Sequence, residues 1–231
     1  MKVLLSWSGG KDSALALAAL AADPQVEVVG LLTSVTREYD RVSIHGVRRA
    51  LLHAQTAALR LPLTEIALEA PSSNAAYELS FLAAIENARS RHPGLSAIAF
   101  GDLFLADVRA YRERLLAGTG LTPLFPLWDE PTPALAERCC ALGIAARLVS
   151  VDTSQLSPDF VGRVFDRELL ADLPSTVDPC GERGEFHTFV SDGPGFASSV
   201  PYSVGDVVRR EERFVYCDLL PAASTAVTLV P

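Results

Sequence analysis

The stretch that decides the fold is Lys2-Val3-Leu4-Leu5-Ser6-Trp7-Ser8-Gly9-Gly10-Lys11-Asp12-Ser13, followed by an alanine- and leucine-rich run to residue 22. A short apolar run, a glycine turn and a helical segment follow one another, which predicts a buried strand over 2–7 feeding a helix over 13–22. That order carries the chemistry. A helix N-terminus presents unpaired backbone N–H groups and a partial positive charge, so it suits an anion. Gly9 and Gly10 let the backbone pass close to phosphate oxygens and take dihedrals closed to other residues. Lys11 supplies a point charge, and the Ser8 and Ser13 hydroxyls can cap the helix or touch phosphate. Asp12 would repel bare phosphate, so its presence points to an intervening Mg²⁺ as its metal. Neither G-x-x-x-x-G-K-[ST] nor G-x-G-x-x-G occurs, which excludes the common P-loop and dinucleotide patterns.

Outward from this loop, apolar runs at 26–33, 63–68 and 97–100 read as strands. Helical patterns fill 46–60, 74–91 and 106–117 between and after them. Strand and helix alternating at this spacing predict a parallel α/β sheet. A proline-rich loop (Pro123, Pro126, Pro131, Pro133) precedes a helix over 134–142 and a strand over 145–151. Residues 178–190 and 204–219 then alternate as antiparallel strands do. The expected fold is α/β, Rossmann-like: a five-stranded parallel sheet with helices on both faces over residues 1–120. A smaller α+β domain over 121–231 is expected to bind the substrate.

Two further clusters bear on chemistry. Gly101-Asp102 sits just past a strand's carboxyl end, where open α/β sheets bind ligands. Asp102 reads either as a metal or substrate group or as a cap on the next turn. Arg109 and Arg112 fall three apart beside Tyr111, and as one helical face they can clamp a phosphate or a carboxylate. In Cys180-Gly181-Glu182-Arg183-Gly184-Glu185-Phe186-His187-Thr188, strand alternation would place Glu185 and His187 on one face. With Glu182 from the preceding turn they suit general-base work on an attacking amine, or binding of a cationic group. Cys180 reads as a packed cysteine, since no activating base lies near it in sequence. His45 precedes a helix near the nucleotide edge, and reads equally as a helix-start contact or an ATP contact.

Composition sets outer bounds. The 231 residues carry a net charge of −8, with local arginine clusters mostly diluted by acidic neighbours, which disfavours a nucleic-acid partner. No apolar run approaches the ~20 residues of a membrane span, and the N-terminal apolar stretch is too short for a signal peptide. The four cysteines form no C-x-x-C pair. A cytoplasmic protein with reduced thiols is the expectation. The apolar tail over 222–230 would pack within the chain or at a homodimer interface.

The segment SGGKDS after the first strand resembles that of the N-type ATP pyrophosphatases. Together with Gly101-Asp102-Leu103, Asp107 to Arg112, and Asp178 to Val190, it resembles the diphthine–ammonia ligase family, in particular its bacterial branch. The resemblance covers residues 3 to about 196 and implies an adenine nucleotide alpha hydrolase-like sheet. It implies that Ser8, Gly9, Gly10, Lys11, Asp12 and Ser13 hold ATP, joined by His45 and Gly101. It also implies an amidoligase using ATP and Mg²⁺. A substrate carboxylate would attack the α-phosphate, pyrophosphate would leave, and ammonia would displace AMP. Lys11, Asp12, Asp102, Glu182 and Glu185 would be catalytic, with Arg109, Tyr111, Arg112, Glu182, Glu185 and His187 around the substrate. The substrate would be a small carboxylic acid or a modified protein side chain. Two readings stay open beside it: a tRNA thiolation enzyme, which needs a sulfur-carrying cysteine and a basic surface, and a non-catalytic ATP- or AMP-binding regulator.

Overall fold

A computed structural model describes residues 1–222. Apart from Ala222, the apolar tail read at 222–230 lies outside the described residues. The chain runs β1 (Lys2–Ser6), α1 (Lys11–Ala21), β2 (Glu27–Thr36), β3 (Arg41–Val42), α2 (Arg49–Leu59), β4 (Leu63–Leu68), α3 (Asn74–Arg91), β5 (Leu95–Ala99), α4 (Ala106–Leu116) and β6 (Thr122–Leu124). It continues with α5 (Thr132–Ala141), β7 (Ala145–Asp152), α6 (Arg167–Asp172), β8 (Phe186–Asp192), β9 (Tyr202–Arg210) and β10 (Phe214–Pro221).

β2 pairs in parallel with β1 and with β4, β1 with β5, and β5 with β6. The count of five parallel strands is as expected, but the fifth is β6, beyond residue 120 in a stretch that reads as a loop, and the short β3 adds a sixth, antiparallel strand. Val3, Leu4 and Leu5 of β1 and Ala97, Ile98 and Ala99 of β5 are wholly buried, as strands covered on both faces must be. Phe81 and Ile85 of α3, with Leu115 and Leu116 of α4, cover one face. Leu15 of α1, Leu51 and Leu52 of α2, and the second sheet cover the other.

Three details depart from the sequence reading. β2 extends to Thr36, because β4 pairs with it as far as Thr36 and β3 adds two antiparallel residues at Val35 and Thr36. Residues 46–48 are not helical: Arg48 bridges back to Arg41, and α2 starts at Arg49. β6 lies inside the proline-rich stretch that reads as a loop. Pro123 has no N–H to donate, which a sheet tolerates on an edge strand such as β6.

The second sheet is antiparallel in the order β8-β7-β10-β9. Its β8 edge docks on the glycine loop. Val190 N donates to Gly9 O at 2.8 Å, and Lys11 N donates to Thr188 Oγ1 at 3.0 Å. Behind the loop sits Gln55 of α2, 1% exposed. Its Nε2 donates to Gly9 O at 3.0 Å and to Val190 O at 2.6 Å, while its Oε1 accepts from Trp7 Nε1 at 3.0 Å. Gly9 adopts φ +81°, and a Cβ there would meet Gln55 Oε1 at 2.9 Å, so both its conformation and its space require glycine. One hydrophobic cluster therefore runs from β1 through α1 and α2 into β7 and β8.

Gln55→Leu keeps the volume but leaves the Trp7 N–H and the Val190 carbonyl without partners. We expect a loss of about 2–4 kcal/mol in urea unfolding, since each orphaned buried group costs roughly 1–3 kcal/mol. A variant as stable as the parent would contradict the assigned role.

Candidate active site

Connections from β1 lead to β2 and β4 on one side, while β5 and β6 lie on the other. Open α/β sheets bind ligands at such a reversal, beyond the carboxyl ends of the strands. A cavity of about 700 Å³ opens there. Leu32, Val42, Ile66 and Leu68 give it an apolar wall, and Asp102, Tyr111, Arg112 and Glu182 give it a charged one. Ser8, Lys11, Asp12 and Ser13 line the cavity as well. A second groove of about 640 Å³ lies between β4 and α3, away from the glycine loop.

No side chain caps α1 at its N-terminal residue Gly10. Ser8 Oγ instead accepts from Gly10 N at 3.3 Å, and Ser13 Oγ donates to Gly10 O at 2.8 Å. The hydroxyls thus brace the loop, and of the amides at the helix end Gly10 N is held by Ser8 Oγ and Lys11 N by Thr188 Oγ1. A Cβ on Gly10 would meet His45 Cε1 at 2.9 Å, and one on Gly101 would meet the Asp12 backbone at 3.2 Å. Both glycines are therefore places of close backbone approach.

Lys11 is 1% exposed, and its Nζ donates to Asp12 Oδ1 at 2.8 Å and to the Cys180 carbonyl. Burial is the largest single influence and opposes its charge, but the Asp12 carboxylate together with the Cys180 and Cys139 sulfurs holds its pKa above the ordinary lysine value. His45 and His187 stack with ring centroids 4.6 Å apart, and His45 Nδ1 lies 3.2 Å from Thr188 O. Burial lowers the His45 pKa to about 4 and takes His187 well below the usual range, so both are neutral at pH 7. Arg41 and Arg48 both pair with Asp218 of β10, at 2.9 and 2.6 Å, and so tie down the loop that carries His45. In that loop Ile44 takes φ +70°, a strained conformation for a β-branched residue.

On the charged wall, Glu182 Oε1 accepts from Leu103 N at 2.8 Å. Burial pushes its pKa up to about 7, against that hydrogen bond, and the Asp12 and Asp102 charges raise it further. Burial also raises the Asp102 pKa, with Arg112 acting against it. Asp102 Oδ2 lies 3.5 Å from Arg112 Nε, and neither atom has a hydrogen-bond partner among the described residues. Arg112 also donates to Tyr77 Oη at 3.3 Å.

Two expected placements do not occur. Glu185 does not share a face with His187. It precedes β8, is 1% exposed, and accepts from Asp178 N at 3.0 Å and Arg183 N at 2.9 Å, so its carboxylate shapes the loop. Arg109 does not join Arg112. It pairs with Glu113 at 2.9 Å and lies over the Phe125 and Trp128 rings, outside the cavity. Cys180 is buried with Sγ on Thr132 O, and burial raises its pKa, as it raises that of Cys139 to about 12. A thiol in that state is a poor sulfur carrier. Gln55, Tyr77, Thr188 and Asp218 were not singled out as site residues in the sequence. Of these only Gln55 leaves a signal, as an amide on an otherwise apolar helical stripe that must find partners inside.

The residues fit an ATP-bound Mg²⁺ better than a protein-built metal cage. Among the described residues no three or more His, Cys, Asp or Glu side chains converge as ligands. Mg²⁺ commonly uses one or two carboxylates together with substrate phosphates. Asp12, beside the loop, would serve. Nor is any helix among the described residues long and apolar enough to cross a membrane.

Residues 1–123 match the diphthamide synthase N-terminal domain, and residues 132–212 match the diphthamide synthase C-terminal domain. The chain belongs to this family. It is similar to a protein of Schizosaccharomyces pombe named diphthine–ammonia ligase, at 26% identity across 90% of this chain and 37% of that protein. The chain thus spans well under half the length of that relative.

Glu182 generates a pH signature in stability. A carboxyl whose folded pKa is raised from 4.5 to about 7 favours the folded state least above pH 7, and the penalty fades as pH falls toward 4.5. Glu182→Gln, which still accepts from Leu103 N, should raise Tm at pH 8 and leave it unchanged at pH 4.5. An equal shift at both pH values would contradict the raised pKa.

Proposed function

We propose that this member of the diphthamide synthase family is an ATP-dependent amidoligase that activates a carboxylic acid as its adenylate and passes it to ammonia. The observation that carries the reading is the N-terminus of α1, where Gly10 supplies no side-chain cap, opening beside buried Lys11 into a cavity with one apolar and one charged wall. The apolar wall suits a purine. Helix-end amides and Lys11 suit the phosphates, and Arg112 with Tyr111 suits the carboxylate of the acceptor. Ser8, Gly9, Gly10, Ser13, His45 and Gly101 complete the nucleotide site, and His187 borders the acceptor.

In this reading the acceptor's carboxylate oxygen attacks the α-phosphorus, and the bond to the bridging oxygen of pyrophosphate breaks. Lys11 and the α1 amides stabilise the charge that develops on the leaving pyrophosphate. When bound, Mg²⁺ held by Asp12 would neutralise part of that charge. Ammonia then attacks the carbonyl carbon, the C–O bond to AMP breaks, and Glu182 takes up the proton the nitrogen sheds. A pKa of about 7 lets Glu182 accept that proton near neutral pH and release it afterward. Asp102 orients Arg112. The acid is a small metabolite or a modified protein side chain, of which diphthine, named for the yeast relative, is one example. We place the division between a nucleotide-binding part and an acceptor-binding part near residue 120.

Incubation with Mg-ATP, ammonium and a panel of carboxylic acids should release AMP and pyrophosphate in equal amounts. Lys11→Met should cut that release by about 10²–10³-fold, the usual cost of a preorganised group that stabilises developing charge. Release of ADP and phosphate, or nucleotide binding without any bond cleavage, would contradict the reading.

A further inference from the structure

The two edges of the second sheet are treated differently. β8 is closed off by the glycine loop, through Val190 N to Gly9 O, whereas β9 ends the sheet among the described residues. β9 is exposed along most of its nine residues, with Val204 at 52%, Val207 at 59% and Val208 at 41%. A long edge strand with exposed valines on both faces is a template for another strand. Natural edges commonly guard themselves with charged side chains. Here the charges have both signs: Asp206 lies two residues before Val208 and Arg210 two after, Asp206 bordering a bulge in the pairing with β10 between Val207 and Val204. Both are exposed and lie outside the ion pairs of the described residues.

We infer that β9 pairs antiparallel with β9 of a second copy, about a two-fold axis passing at Val208. An isologous contact places each residue opposite its reflection about the axis. With the axis at Val208, Asp206 faces Arg210 of the partner subunit, and the reverse pair forms symmetrically. Two opposite-charge cross-strand pairs then flank a valine pair, an arrangement that stabilises a ladder. Moving the axis to Val207 sets Asp206 against a valine and Gly205 against an arginine, and both ion pairs are lost. The charges that block random edge pairing therefore select one register. β10 lies between this edge and Asp218's partners Arg41 and Arg48, so the contact is one strand away from the loop that holds His45. The inference is independent of the ligase reading.

Sedimentation velocity of the full chain over a dilution series tests it. A monomer–dimer equilibrium is expected, with Asp206→Arg and Arg210→Asp each weakening dimerisation by about tenfold or more. The double exchange should restore most of it, and Val208→Lys should abolish it. Circular dichroism on each variant checks that the fold is kept. A chain that stays monomeric at every concentration overturns the inference, whether residues 223–231 or another protein covers the edge. A dimer indifferent to either charge reversal overturns it too, and single losses without rescue overturn the register.

Discussion

The hydrogen bond from Val190 N to Gly9 O, braced by the Gln55 amide, is the constraint on which the rest of the structure depends. A loop that turns its amides toward an anion must have its carbonyls satisfied from behind, because buried backbone groups left unpaired are costly. Gly9 takes its positive φ without strain, but its free choice of conformations has to be narrowed to this one by its surroundings. β8 and α2 supply that support. Residues near 9 and near 190 thereby become one wall, and the stretches matching the two family domains share one hydrophobic cluster.

The same contact arranges the electrostatics. Docking β8 on the loop stacks His187 on His45 and sets the Cys180 carbonyl on Lys11. The cavity therefore holds a buried ammonium, two neutral imidazoles and four carboxylates, Asp12, Asp102, Asp107 and Glu182. Two ion pairs lie within it among the described residues, Lys11 with Asp12 at 2.8 Å and Arg112 with Asp102 at 3.5 Å. Asp102 Oδ2 and Arg112 Nε, without hydrogen-bond partners among the described residues, mark the charged wall as the part of the site with hydrogen-bonding capacity left over. A polar ligand there would satisfy atoms that the protein does not.

Much of this was legible in the sequence, for physical reasons. The β1–loop–α1 unit is local: its apolar run, paired glycines and lysine all lie within the same thirteen residues, and short-range geometry fixes the rest. Parallel strands betray themselves as continuous apolar runs, so β1, β2, β4 and β5 could be read. What escaped was non-local. Gln55 reads as one more stripe residue until β8 arrives to accept from it. Glu185 looks like strand alternation, but the strand begins one residue later and the carboxylate turns inward to backbone amides. Arg109 and Arg112 share a helix, yet Glu113, Phe125 and Trp128 draw the first away. β6 hides in prolines, since only an edge strand tolerates them.

The most direct test is a crystal structure of the protein with a non-hydrolysable ATP analogue. The account predicts phosphates on the first-turn amides of α1 that follow Lys11, the base against Leu32 and Ile66, and Thr188 still bonded to Lys11 N beneath them. Phosphates bound elsewhere, for example in the groove between β4 and α3, would contradict it. So would a glycine loop released from β8 when the nucleotide binds.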